Sequence, residues 1–310
     1  MNPAVLSTGS FPAATMAELA SRFELYHHVH VPPALDPDVA GRVRGLATEA
    51  NRGAPAALIA LLPKLEIIAC FGVGVDLIDL TAARARKIAV TNTPGVLGDE
   101  VADLAIGLML ASARQILFAD RFVRDGRWAQ GPLPLGRSVG RKTMGVVGLG
   151  GIGRAIAARG AALRMQVLYT GPRQKPGAPF EYVPDLVELA RRSDYLMVAC
   201  KGGPQTRHLI SAEVIDALGP KGTLVNVARG SVVDEAALIA ALSDGRLGFA
   251  ALDVFENSPH IDPAFLTLAN VIVQPHQGSA TVETRTAIGQ LMIDNLAAWF
   301  AGRPLLTPVP

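Results

Sequence analysis

The hydrophobic pattern of the chain is an alternation of short β-branched runs with longer segments rich in Ala and Leu. From Lys142 onward this alternation is regular. Strand-like and helix-like segments follow one another as KTMGVVGLG, IGRAIAARGAAL, MQVLYTGP, DLVELARRS, YLMVACKGG, SAEVIDALG, TLVNVARG, DEAALIAALSDG, FAALDVF and NVIVQPH. Strands that alternate with helices form parallel sheets with helices on both faces. The pattern therefore predicts a doubly wound α/β fold.

Residues 40 to 100 carry an alternation of their own, as if a smaller α/β domain preceded the regular one. A length of 310 residues also suits two domains of about 100 to 200 residues each. We therefore expect two Rossmann-like domains with doubly wound parallel sheets. The segment 118–140, FADRFVRDGRWAQGPLPLGRSVG, is rich in Gly and Pro, which predicts an arm or a long connection rather than a packed element.

Composition and charge narrow the classes of function. Half of the residues are hydrophobic, 18% are charged and the net charge is +2, so neither nucleic acid nor a membrane surface is an expected partner. The longest apolar run, VADLAIGLMLASA, carries Asp103 and is too short to span a bilayer. Cys70 and Cys200 each stand alone in an apolar run, as expected of thiols in a reducing compartment. We expect a soluble cytoplasmic protein without a metal site.

GVVGLGGIGR places glycines at 148, 150 and 153 in a GxGxxG pattern. In a dinucleotide site the first glycine allows the tight turn, the second lets the pyrophosphate approach the backbone, and the third allows close helix–strand packing. An ordinary Gly-rich turn is the alternative. Here, however, the motif follows a strand, opens a helix and precedes a second strand, as the site requires. The residues expected to bind the dinucleotide are Gly148, Leu149, Gly150, Gly151, Ile152 and Gly153.

The end of the second strand indicates which dinucleotide is bound. An acidic residue there would hold the ribose 2′-OH of NAD, but QVLYTGPRQKPG ends in Thr170 and is followed by Arg173 and Lys175. A guanidinium and an ammonium match a 2′-phosphate, although a solvated basic loop would have the same composition. We expect NADPH as the cofactor, bound through Thr170, Arg173 and Lys175, with NADH as a weaker substitute.

Two polar residues follow buried strands, at the edge where open α/β sheets bind ligands. Arg229 ends LVNVAR and is placed to hold a carboxylate or polarise a carbonyl; the alternative is a structural arginine that caps a helix or pairs with Asp234. His276 follows NVIVQP, and histidine exchanges protons near neutral pH. A lone histidine is more often structural than catalytic.

Four further segments occur in order: CFGVGVDLIDL, NTPGVLGDEVADLAIGLML, LVNVARGSVVDEAALIAAL with ALDVF, and QPHQGSAT. With GLGGIG they resemble the D-isomer-specific 2-hydroxyacid dehydrogenase family over about residues 60 to 300. Through LYTGPRQ the chain looks most like the NADPH-dependent glyoxylate/hydroxypyruvate reductases of that family.

The resemblance implies a discontinuous substrate domain, 1–98 with 285–310, and a dinucleotide-binding domain, 99–284. It also implies an active site in the cleft between them, a homodimer, and reduction of small 2-keto acids such as glyoxylate and hydroxypyruvate.

The resemblance also implies roles for individual residues. Arg229 would orient the keto acid and polarise its carbonyl, and His276 would donate the proton. The main-chain N–H groups of Val73 and Gly74 would bind the substrate carboxylate. Residues expected near the cofactor are Val101, Asp253 and Gly278.

One position departs from the family pattern. The glutamate that hydrogen-bonds the catalytic histidine stands directly before a proline in the family, and here that position is Ser258 in DVFENSPH. Serine can orient the ring but supplies no charge. Three interpretations stay open: a variant that tolerates Ser258, with Glu256 or water in place of the carboxylate; a weakened enzyme; or an NADPH-binding regulator.

Other interpretations are also open. HHVH, with His27, His28 and His30, has a metal-like spacing but lacks an accompanying acid or cysteine. His208 and His260 are expected in loops outside the chemistry. An enzyme of the same fold that oxidises phosphite or formate with NADP would share most of the motifs.

Overall fold

The computed structural model describes residues 2–28 and 35–310, and these divide into two compact units. The first comprises Met1–Leu97 and Ala280–Pro310, and the second comprises Gly98–Ser279. Each unit contains one sheet whose strands all run parallel, so the predicted α/β class with two Rossmann-like sheets is confirmed.

The first unit is built on a five-stranded sheet of order β2-β1-β3-β4-β5. Its strands are β1 (Ala4–Ser7), β2 (Glu24–His27), β3 (Gly45–Glu49), β4 (Ile67–Phe71) and β5 (Ala89–Thr91). Its helices are α1 (Ala13–Arg22), α2 (Pro37–Ala40), α3 (Ala56–Leu61), α4 (Leu80–Ala85) and α11 (Val282–Phe300), numbered along the chain. Every residue of β1 and β4 and all but Glu49 of β3 are buried, as expected of parallel strands covered on both faces.

The long helix α11 brings the end of the chain back to the first unit. Its first turn is capped by Thr281, whose hydroxyl accepts the Thr284 N–H at 3.1 Å. The helix packs on β4 and on α1. A Cβ on Gly289 would lie 2.3 Å from Oγ1 of Thr15 in α1, so a glycine at this position allows the two helices to pack closely.

The second unit is built on a seven-stranded sheet of order β12-β11-β10-β9-β6-β7-β8. Its strands are β6 (Thr143–Val147), β7 (Gln166–Thr170), β8 (Glu181–Tyr182), β9 (Tyr195–Val198), β10 (Thr223–Asn226), β11 (Phe249–Leu252) and β12 (Val271–Val273). Its helices are α5 (Gly98–Ala113), α6 (Ile116–Arg124), α7 (Gly151–Ala162), α8 (Leu186–Arg191), α9 (Ala212–Leu218) and α10 (Glu235–Ser243). The chain turns in opposite directions from β6 and β9, which makes their carboxyl ends the expected ligand site.

The segment 118–140 is only partly irregular, so the sequence interpretation was wrong for its first third. The helix α6 includes residues 118–124, and a short 3-10 turn covers Arg127–Gln130. The helix-breaking residues of this segment all come after Arg124, which leaves the preceding residues free to form a helix. Only Phe122 of α6 is buried.

In the described residues no single helix is long and apolar enough to cross a membrane. The helices α5 and α6 pass such a test only as a pair, with a bend of 56° between them.

Candidate active site

The glycine turn between β6 and α7 leaves no room for side chains at two positions. Gly148 has a φ of +94°, and a Cβ on it would lie 2.6 Å from the Cα of Cys200. A Cβ on Gly153 would lie 1.9 Å from the carbonyl oxygen of Gly148. The first glycine therefore allows the turn, and the third allows the helix to pack against it.

Two other glycines of the turn face open space. No atom lies within 4 Å of a Cβ built on Gly150 or Gly151. Gly150 is the N-cap of α7, and no side chain caps this end of the 12-residue helix. Leu149 is buried and Ile152 is partly buried. Open space and a helix N-terminus are what a pyrophosphate requires, so these residues fit a dinucleotide.

The loop after β7 is fixed by two tyrosines that the sequence analysis missed. The hydroxyl of Tyr169 accepts the backbone N–H of Lys175 at 2.8 Å, and the hydroxyl of Tyr182 donates to the carbonyl of Gly171 at 2.9 Å. Thr170 is buried, and its hydroxyl donates to the carbonyl of Pro184 at 3.3 Å. Its side chain thus serves the internal packing, whereas Arg173 is exposed. The case for a phosphate site therefore rests on Arg173 and Lys175.

Arg229 lies in a turn that the buried side chain of Asn226 organises. The amide oxygen of Asn226 accepts the Ala228 N–H at 3.0 Å, and its amide nitrogen donates to the carbonyl of Arg229 at 3.0 Å. The guanidinium of Arg229 donates to the carbonyl of Ala228 at 2.8 Å. Asp234 caps α10 by accepting the Ala237 N–H. These bonds fix the backbone from which the Arg229 side chain extends.

His276 lies in a loop that Asp253 holds. The His276 N–H donates to the carbonyl of Asp253 at 3.0 Å. The Asp253 carboxylate accepts the N–H groups of Gln277 at 2.6 Å and Gly278 at 2.9 Å. His276 has a φ of +57°, in the left-handed region that residues other than glycine seldom adopt. Such strain persists only where surrounding bonds enforce it, and Asp253 supplies three of them.

The environment of Asp253 changes its acidity. Asp253 is 2% exposed, and burial raises the pKa of its carboxyl to about 6, although the bonds from Gln277 and Gly278 oppose this rise. A Cβ on Gly278 would lie 3.0 Å from the Asp253 carboxylate and 3.3 Å from Val101. Three residues expected near the cofactor, Val101, Asp253 and Gly278, are therefore neighbours.

Arg229, Asp253 and His276 follow the adjacent strands β10, β11 and β12. The strands are in register, with Asn226 beside Leu252 and Leu252 beside Val273. The Asp253 N–H donates to the carbonyl of Asn226 at 3.0 Å. A continuous set of hydrogen bonds therefore links the turn that carries Arg229 to the loop that carries His276.

The acidic residue nearest to Ser258 in sequence is engaged elsewhere. The Glu256 carboxylate pairs with Arg207 at 2.5 Å and with Nε2 of His208 at 3.4 Å. Its backbone N–H donates to Glu235 at 2.7 Å, whose carboxyl has a pKa raised by burial. The Ser258 hydroxyl donates to the carbonyl of Phe255 at 3.0 Å. Glu256 would have to leave its ion pair with Arg207 and its contact with His208 to replace the family glutamate.

In the first unit, the turn after β4 carries Val73 and Gly74. Their N–H groups make no hydrogen bond within the described residues. Their carbonyls do, since Val73 accepts from the Asn92 side chain at 2.8 Å and Gly74 accepts from the Cys70 thiol at 3.5 Å. The turn can therefore offer two N–H groups to an anion.

Among the described residues, the remaining histidines and the cysteines form no cluster that could hold a metal ion. His27 Nδ1 lies 3.3 Å from the Ser7 hydroxyl, and His30 lies outside the described residues. Over residues 2–28 and 35–310, no group of three or more His, Cys, Asp or Glu residues is arranged to hold a metal ion. Burial raises the pKa of the Cys200 thiol to about 11, so this thiol is not activated as a nucleophile.

Comparison with known proteins identifies the family. Residues 106–278 match the model of the D-isomer specific 2-hydroxyacid dehydrogenase NAD binding domain. The 2-ketogluconate reductase of Gluconobacter oxydans is 48% identical over 88% of both chains. The glyoxylate/hydroxypyruvate reductase A of Arabidopsis thaliana is 49% identical over 86% of this chain and 85% of its own. The chain belongs to the D-isomer specific 2-hydroxyacid dehydrogenase family.

A solved structure of a glyoxylate/hydroxypyruvate reductase has the same fold as this chain. The NADPH-dependent glyoxylate/hydroxypyruvate reductase of Sinorhizobium meliloti, in complex with NADP and malonate, superposes with a TM-score of 0.95. It is 43% identical, and the alignment covers 100% of this chain and 97% of that one. The similarity thus extends over both sheets, including the first unit, which the family model does not cover.

Proposed function

We propose that this protein reduces small 2-keto acids, such as glyoxylate and hydroxypyruvate, to 2-hydroxy acids with NADPH. The observation that carries this proposal is the hydrogen-bonded link from Asn226 through Asp253, which fixes a cationic residue after β10 and a proton donor after β12, on either side of β11. The reductase names of relatives that share nearly half of the residues support it.

Each proposed residue has a role that follows from its chemistry. When bound, NADPH supplies a hydride to C2 of the keto acid. Arg229 binds the carboxylate and polarises the carbonyl, because a guanidinium presents two donors to a planar pair of oxygens. His276 donates a proton to the carbonyl oxygen, and the N–H groups of Val73 and Gly74 bind the carboxylate. The first unit is therefore the proposed substrate domain.

The second unit is the proposed dinucleotide domain. Residues 148–153 would hold the pyrophosphate, and Val101, Asp253 and Gly278 would contact the nicotinamide. Arg173 and Lys175 favour NADPH because their positive charges match its 2′-phosphate. NADH is disfavoured because no carboxylate stands at the end of β7 to bind its ribose 2′-OH. The NADP complex of the Sinorhizobium meliloti relative supports the cofactor.

We also propose a homodimer that forms through residues 116–135. This segment exposes a set of large apolar side chains: Ile116, Leu117, Phe118, Val123, Trp128 and Leu135. Exposed apolar groups of this size are typical of association surfaces. Sedimentation of Trp128→Asp/Leu135→Asp should show monomers where the wild type shows dimers. Cys70 and Cys200 form no disulfide within the described residues, which is consistent with action in the cytoplasm.

An NADPH-binding regulator is not favoured, since the relatives are reductases and Arg229 and His276 are both present. The test compares wild type with Arg229→Ala and His276→Ala. NADPH oxidation with glyoxylate should fall by about a hundredfold or more in each variant, while NADPH affinity, followed by its fluorescence, stays unchanged. Unchanged turnover in either variant would overturn the assignment of that residue.

A further inference from the structure

Asn92 and Thr93, which directly follow β5, fix the peptide groups of the Val73–Gly74 turn. The Thr93 N–H donates to the carbonyl of Gly72 at 3.0 Å, and the Asn92 side chain donates to the carbonyl of Val73 at 2.8 Å. A peptide group is planar and trans, so its N–H points away from its carbonyl. Fixing the carbonyl of Gly72 therefore orients the Val73 N–H, and fixing the carbonyl of Val73 orients the Gly74 N–H.

The contribution of Asn92 is separable from that of the strand. Thr93 acts on Gly72 through its backbone N–H and also through its hydroxyl, which accepts the Gly72 N–H at 3.0 Å. By contrast, Asn92 is bonded to Val73 through its side-chain amide and not through its backbone. Substitution of Asn92 can therefore release one peptide plane without removing a bond of the sheet.

Asn92 is itself held by a segment far away in sequence. The Thr307 hydroxyl donates to the carbonyl of Asn92 at 2.6 Å, and Thr91 forms an antiparallel bridge with Pro308. The N–H of Val309 donates to the carbonyl of Val90 at 2.8 Å. The segment 306–309 thus runs along β5 and braces its end.

The brace is fixed to α11 by a fully buried side chain. The Asn295 amide nitrogen donates to the Thr307 hydroxyl at 2.8 Å, and its amide oxygen accepts the N–H groups of Leu306 at 3.1 Å and Thr307 at 3.2 Å. A buried amide with all of these partners satisfied holds one geometry. A continuous polar chain therefore runs from Asn295 through Thr307 and Asn92 to the carbonyl of Val73.

We propose that Asn92, braced by Thr307, is a positioning residue that aims the Gly74 N–H at the substrate carboxylate. The inference rests on the proposed function, because it presupposes that Val73 and Gly74 bind a carboxylate. It makes the segment 306–309 part of the substrate site, although that segment supplies no group to the chemistry.

The experiment uses the full chain with Asn92→Leu and Thr307→Val. The first variant keeps the branched shape of the side chain and removes the donor, and the second removes the hydroxyl that holds Asn92. Asn270→Leu is the matched control. The side-chain amide of Asn270 also donates to backbone carbonyls, those of Leu242 and Gly248. Asn270 lies in the second unit, directly before β12. The probe is oxalate, a small dicarboxylate, titrated into the protein saturated with NADPH.

Asn92→Leu should weaken oxalate binding roughly tenfold, as expected for the loss of one hydrogen bond, and raise KM for glyoxylate by a similar factor. Thr307→Val should have a smaller effect in the same direction. The dissociation constant for NADPH and kcat should stay near the wild-type values in both, and the control should match the wild type throughout.

The two failures are distinguishable. If the wild type reduces glyoxylate and both variants bind oxalate as tightly as it does, the positioning role is overturned and the proposed function stands. A purely structural role would lower the melting temperature without changing the affinity for oxalate, and this result also overturns the inference. If the wild type neither binds oxalate nor reduces a keto acid, the proposed function fails and takes the inference with it.

Discussion

Asp253 holds Gly278 through a hydrogen bond of 2.9 Å from the glycine N–H to its carboxylate, and thereby fixes the loop that carries His276. A second bond, from Gln277 at 2.6 Å, reaches the other carboxylate oxygen. The carboxylate accepts both bonds with two different oxygens, which an amide cannot do because it has only one acceptor oxygen. The geometry of the proposed proton donor therefore depends on a buried acid.

This buried acid gives a prediction about stability and pH. The pKa of Asp253 is raised from 3.8 to about 6 by burial. Because the folded-state pKa is the higher one, the contribution of Asp253 to stability is complete below pH 3.8 and is lost as the pH rises through 6. Between pH 5 and pH 8 the loss should be about 1.4 kcal/mol.

Asp253→Asn should remove this pH dependence, and it should lower kcat at every pH because the His276 loop loses one acceptor. Urea unfolding of the wild type and the variant at pH 5, 6.5 and 8 measures the difference. Free energies of unfolding that change in parallel over this range would contradict the prediction.

The glycine turn gives a contrast between substitutions. Gly150→Ala should leave the melting temperature almost unchanged, because its Cβ would meet no atom within 4 Å. NADPH binding should nevertheless weaken by about tenfold or more, since that Cβ would stand where the pyrophosphate approaches. Gly148→Ala should lower stability itself, because of both its φ and the contact with Cys200.

The control for these variants is Gly107→Ala, in the middle of α5, which should raise stability by roughly 0.5–1 kcal/mol and bind NADPH as the wild type does. Thermal unfolding and NADPH fluorescence provide the two measurements. Unchanged NADPH affinity in Gly150→Ala would show that the pyrophosphate does not lie over this turn.

Cofactor choice should depend on Arg173. Arg173→Glu should weaken NADPH binding by about a hundredfold, because a carboxylate would replace a cation beside the 2′-phosphate. Binding of NADH should change little. Arg191→Glu is the matched control, since Arg191 is an exposed arginine of the same unit that pairs with Glu188. Equal losses for the two dinucleotides would contradict a 2′-phosphate site at this loop.

Ser258 should set the pH range of activity. If His276 donates the proton, a carboxylate at position 258 stabilises the imidazolium, and the loss of activity at high pH moves upward by about one to three units. Ser258→Glu should show this shift, and Ser258→Gln, which is of similar size and neutral, should not. Profiles of kcat/KM from pH 5 to 9 give the measurement, and superimposable profiles for the two variants would exclude Ser258 as a neighbour of the proton donor.

The sequence predicted features that depend on local patterns. The GxGxxG turn, Arg229 and His276 could be placed because each follows the end of a largely apolar strand by a few residues. Parallel strands bring their carboxyl ends to one edge, so the position after a strand already indicates where a residue lies in the fold.

The residues that fix these groups could not be found in this way. Asn226, Asn92 and Thr307 act through hydrogen bonds to particular carbonyls, and for Asn92 the partners lie 19 and 215 positions away. No periodicity of the sequence carries such pairings. The engagement of Glu256 with Arg207 and His208 was missed for the same reason, since it depends on how two loops meet.

The most direct test of the proposed function is the product formed from hydroxypyruvate and NADPH by the purified wild-type protein. NADPH should be oxidised in an amount equal to the glycerate formed, the glycerate should be the D-isomer, and NADH should support much slower turnover. Tight NADPH binding with no glycerate formed at any pH between 5 and 9 would contradict the proposed function.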